Sequence, residues 1–128
     1  MDFESVFKTW LGLSLAEATS LEIKAYSFNL FENAKNQNSK FGIELIGAGS
    51  FDSADTDWAC DEVWQPETRA IDIPFSFSGP EWETCLSRIE ILISAYLTDE
   101  MEAKVLLDSR AVGVGFVDGD LSLLWQSQ

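Results

Sequence analysis

Histidine is absent from all 128 residues. Its absence removes the usual general base, the commonest metal ligand and every Ser-His or Cys-His nucleophile arrangement. Bases of any kind are scarce: 8 Lys plus Arg stand against 22 Asp plus Glu, for a net charge of -14. A surface of that sign repels nucleic acid and anionic membranes, so neither is expected as a partner. Only Cys60 and Cys85 carry thiols, without C-x-x-C spacing, which argues against a disulfide framework and against a zinc site. No stretch approaches the roughly 18 consecutive apolar residues of a membrane span. Met1-Asp2-Phe3-Glu4 lacks the basic start of a signal peptide, and the chain is expected to stay in the cytoplasm. Neither phosphate-cradling glycine motif is present, because Gly113-Val114-Gly115 lies inside a predicted strand rather than ahead of a helix. No cofactor is expected.

What remains is enough for one core. Apolar residues make up 46% of the chain and aromatics 12%, and a chain of this length forms a single domain, residues 1–128. Excess like charge favours a soluble monomer.

Phe3, Val6, Phe7, Trp10 and Leu11 fall at helical spacing, so residues 2–11 read as a helix capped by Asp2 and ended by Gly12. From Leu21 to Glu32 the apolar phase slips by one residue, which fits a long strand with a bulge near Ala25–Ser27. Residues 33–40 are polar and form a hairpin loop before a strand from Phe41 to Phe51. Ile71, Ile73, Phe75 and Phe77 alternate as a strand that Pro74 places near a sheet edge. Ser78 and Glu81 form a capping-box pair, with Pro80 in the first turn. The helix that follows lines Trp82, Cys85, Leu86, Ile89, Leu92, Ile93 and Tyr96 along one face. Thr98 caps a further helical stretch near 99–107. Asp118-Gly119 between two apolar runs marks a C-terminal β-hairpin with a type I′ turn. Gly113 and Gly115 share one face of its first strand, and the long helix is the expected neighbour on that side. The order α, β, β, β, α, β, β predicts an α+β fold: an antiparallel β-sheet of about five strands with helices packed on one face.

One segment stands out chemically. Residues 52–67 hold six acids and no base, with Trp58 and Trp64 among them. Asp52, Asp55, Asp57, Asp61 and Glu62 present hard oxygen ligands, but the spacing lacks the sixth-position Gly and twelfth-position Glu of a calcium loop, and no metal is assigned. A carboxylate pair for glycoside hydrolysis needs one member in a dry pocket, which an acidic loop does not offer. Asp118-Gly119-Asp120 reads as a turn rather than a ligand set. Tryptophans rimmed by charge are typical interface anchors, so Asp52, Asp55, Asp57, Trp58, Asp61, Glu62 and Trp64 form the candidate partner-binding set. Equally, the two indoles can staple the loop to its own domain.

The run Asp57-Trp58-Ala59-Cys60-Asp61-Glu62-Val63-Trp64, the amphipathic helix and the run Ala111 to Leu121 resemble, in their order and on so small and acidic a chain, the cytoplasmic immunity proteins that bacteria pair with secreted antibacterial toxins. The resemblance spans residues 20–125 and carries over no individual functional residue. It implies a non-catalytic protein that binds a cognate basic toxin tightly and blocks it. Two other classes fit the residues: a metal-dependent hydrolase using the carboxylates of 52–62, and an adaptor binding through the sheet edge near Pro74.

Overall fold

Helix α1, Phe3–Ala16, begins where expected, with the Asp2 carboxylate accepting a 2.8 Å hydrogen bond from the Ser5 N–H. It runs through Gly12 because its apolar face continues to Leu15, and burial of that face outweighs the roughly 1 kcal/mol cost of one helical glycine. Trp10 satisfies its indole by donating 2.7 Å to the Thr68 carbonyl. These are features of a computed structural model that describes residues 2–18, 22–33, 39–99, 101 and 103–127.

Strand β1, Ala25–Glu32, pairs without interruption with β2, Phe41–Ala48, from Ala25↔Ala48 to Glu32↔Phe41. There is no bulge near Ala25–Ser27. The slip in apolar phase falls ahead of the strand, where Ile23 packs over Gly47. Leu21 and residues 34–38 of the expected hairpin loop lie outside the described residues. The short strands β3, Glu62–Trp64, and β4, Ala70–Ile73, both pair antiparallel with β2, at opposite ends of it.

The expected strand over 70–77 stops at Ile73. Pro74 has no N–H for a ladder, and it opens the single helical turn α2, Phe75–Ser78. Ser78 is thereby used inside α2, its hydroxyl donating to the Gly79 carbonyl, so no capping box forms. Helix α3, Trp82–Leu97, starts after Glu81 with no side-chain cap, and Pro80 precedes it. Thr98 closes α3 by donating to the Ala95 carbonyl instead of opening another helix. Helix α4, Lys104–Leu107, is one turn long.

Strands β5, Ala111–Phe116, and β6, Ser122–Gln126, complete the C-terminal hairpin. Its turn differs from the expected type I′. The Gly119 N–H donates to the Phe116 carbonyl, so Val117 and Asp118 are the central pair, and neither has positive φ. The order β3-β2-β1-β5-β6, with β4 also on β2, gives an α+β fold around a six-stranded sheet. That sheet is mixed, because β5 runs parallel to β1 from Tyr26↔Val112 to Leu30↔Phe116. The helical segment between β4 and β5 makes the crossover that a parallel pair requires.

Helices α1, α3 and α4 pack on one face of the sheet, over Tyr26, Phe28, Leu30, Ile43, Leu45, Val112 and Val114. Full burial of each such side chain contributes about 1.5–3 kcal/mol. The opposite face is only partly covered, by Trp58, Phe51 and Leu121 over Ala25, Ile46, Ala48 and Ala111. Gly113 and Gly115 lie on that second face beneath Trp58 and residues 120–121, rather than beneath the long helix. No helix among the described residues is long and apolar enough to cross a membrane.

Candidate functional site

The acidic segment is held by its own backbone chemistry. The Asp52 carboxylate accepts from the Ala54 N–H at 2.9 Å, and the Asp55 carboxylate accepts from the Asp57 N–H at 2.9 Å. Asp55 thereby caps a 3-10 helix, Thr56–Cys60, that occupies what the sequence suggests is loop. The Asp61 carbonyl then accepts from the Gly49 N–H at 2.8 Å, and β3 returns the chain to the sheet edge.

The two tryptophans go to opposite faces of the sheet. Trp58 is 4% exposed, with its ring edge-on to Phe51 at 5.3 Å. It is a staple, and a buried indole cannot insert into a partner. Trp64 is half-buried on the helix side, perpendicular to Tyr26 at 5.9 Å.

Asp52, Asp55, Asp57 and Asp61 are exposed along this pinned segment. Glu62 is exposed but already engaged: Arg69 grips it with Nη1 at 2.6 Å and Nη2 at 2.9 Å. The same guanidinium donates to Glu44 from Nε at 2.9 Å and to Gln65 at 2.6 Å. Hydrogen bonds to Glu62 and Glu44 push its pKa further above the usual arginine value. Glu44 continues inward by accepting from Asn29, whose side-chain oxygen accepts from Ser27. A polar strip thus crosses the open face of the sheet from β1 to the Arg69 loop.

Of the carboxylates of 52–62, Asp52 and Asp55 turn to backbone N–H groups and Glu62 turns to Arg69. Among the described residues, no three carboxylates or thiols gather as a metal-binding group. Asp118 sits in the β5–β6 turn, as its sequence context suggests.

A second feature escapes sequence reading. Where β1 and β5 end and β2 begins, Phe31, Phe41, Trp82 and Phe116 line a cavity of ≈ 260 Å³ together with Glu32 and Asp118. Trp82, expected in the core stripe of α3, is 53% exposed. As the first residue of α3 it overhangs the end of the sheet, perpendicular to Phe116 at 5.9 Å. The available signal was that helical periodicity places a side chain on a face but says nothing of where the neighbouring layer ends.

No family model matches the chain, and neither a curated protein nor a solved structure matches it.

Proposed function

We propose that the chain is an immunity protein, which binds a cognate basic antibacterial toxin through its acidic surface and neutralises it in the cytoplasm of the producing cell. The observation that carries this reading is the rigid presentation of Asp52, Asp55, Asp57 and Asp61, four exposed carboxylates on a segment fixed by Trp58, by its Asx turns and by β3. A binding loop that is already ordered loses less conformational entropy on association, so more of its interaction energy appears as affinity. The net charge of -14 steers a cationic partner toward it and raises the association rate.

Within this reading the site residues divide by role. The four aspartates meet the toxin. Glu62 is tied to Arg69 and holds the shape of the adjoining strand. Trp58 pins the segment from beneath, and Trp64 contributes at most the edge left uncovered by Tyr26.

The test is co-expression with the product of the adjacent reading frame in cells that this product kills. Survival, with recovery of a stable complex, is the expected result. Death of cells that contain abundant folded chain overturns the reading.

A further inference from the structure

We propose that the aromatic cavity at the end of the sheet takes an arginine side chain from the partner protein, an inference that rests on the immunity reading and names where that partner anchors. Trp82 and Phe116, perpendicular at 5.9 Å, form its aromatic walls, and Phe116 meets the buried Phe41 ring edge-on at 5.5 Å beneath them. Phe31 lines it from the end of β1, its own ring lying over Gly42 on the other face of the sheet. Aromatic faces carry negative quadrupole charge and attract a cation, the indole most strongly.

Glu32 and Asp118 add full charges at the same cavity, both exposed. Neither has an ion-pair partner among the described residues. An anion is therefore repelled from this place, and an apolar group would strip water from two carboxylates without compensating them. Guanidinium suits both halves of the lining: its plane stacks on the indole, and its N–H fork matches a carboxylate.

Two nearby positive features do not reverse this. Lys40 does not line the cavity; its Nζ donates 2.8 Å to the Pro80 carbonyl and lies 5.5 Å from the Phe41 ring centre, so a cation already rests on one of these rings. The positive end of α3 is offset by Glu81 and Glu83, which flank Trp82. The volume of ≈ 260 Å³ is several times the ~30 Å³ a water occupies in the liquid, room for one long side chain and not for a helix.

The test uses N-acetyl-arginine amide as the probe and N-acetyl-norleucine amide as its apolar control. Each is titrated into the whole chain at tens of millimolar while the Trp82 indole N–H resonance is followed. Arginine amide is expected to shift that resonance saturably, and norleucine amide to bind at least fivefold more weakly. Glu32→Gln with Asp118→Asn, at exposed positions and isosteric, should weaken the arginine response by roughly fivefold. Trp82→Phe identifies the resonance, and Trp82→Ala, checked for an unchanged melting curve, should abolish the remaining shifts at Phe116. Absence of a shift with arginine amide, or equal binding of norleucine amide, overturns the proposal. No toxin enters this titration, so its failure is distinguishable from failure of the immunity reading; conversely, a complex whose affinity ignores Trp82→Ala removes the cavity and leaves that reading standing.

Discussion

The indole of Trp58 lies so close over Gly113 that a Cβ at that position would stand 3.2 Å from Cζ2. Two residues along, a Cβ on Gly115 would meet the Asp120 carbonyl oxygen at 2.5 Å. The obstacles differ in kind. Gly113 faces side-chain atoms of Trp58 and Leu121, which can yield by tenths of an ångström, whereas Gly115 faces backbone. Gly115→Ala is therefore expected to destabilise by about 1–3 kcal/mol, and Gly113→Ala by less, in urea unfolding. Equal costs would contradict the close approach of residues 120–121.

Trp58→Ala should cost about 3–5 kcal/mol, as expected for a buried large aromatic. The same substitution at Trp82, half exposed, should cost under about 1 kcal/mol. Hydrogen exchange should also quicken across 52–61 in Trp58→Ala alone. A mild effect at Trp58 would return it to the role of a surface anchor.

Gly12 sits inside α1 with open space where a Cβ would lie. Gly12→Ala is expected to raise stability by about 0.5–1 kcal/mol, read as a higher melting temperature, because it removes backbone freedom from the unfolded chain without a clash.

Burial pushes the Cys85 thiol from 9.0 up to about 11 and the Tyr26 hydroxyl from 10.0 up to about 12. The unfolded chain releases these protons first, so their contribution is complete below about pH 9 and is lost as pH rises toward about 12. Stability measured against pH should fall across that window, and Cys85→Ala should remove the early part of the slope. In the native protein a thiol reagent should modify exposed Cys60 and spare Cys85.

Elements with a strong local period were legible in the sequence. The α1 stripe, the alternation after Phe41 and the glycine-bearing strand β5 follow from spacing alone. Long-range facts were not. Nothing local to Tyr26 or Val112 says that their strands run parallel, and nothing near Ser78 says that Pro74 has already begun a helical turn. At the acidic segment, composition marks where carboxylates crowd along the chain. It could not reveal that Arg69, beyond the segment, takes Glu62 out of it, or that Trp58 turns inward. The aromatic cavity draws on β1, β2, α3 and β5, so its members never appear together as a motif.

The central claim, that the acidic segment exists to meet a cationic partner, is tested most directly by the association rate of that partner measured against salt. Asp52, Asp55, Asp57 and Asp61 are changed together to Asn, which keeps the turn-forming acceptors and leaves the Arg69–Glu62 pair intact. The wild-type rate should fall steeply as salt rises, and the variant should associate roughly tenfold more slowly at low salt with a flatter dependence and an unchanged melting curve. Identical rates and identical salt slopes for the two proteins would contradict the claim.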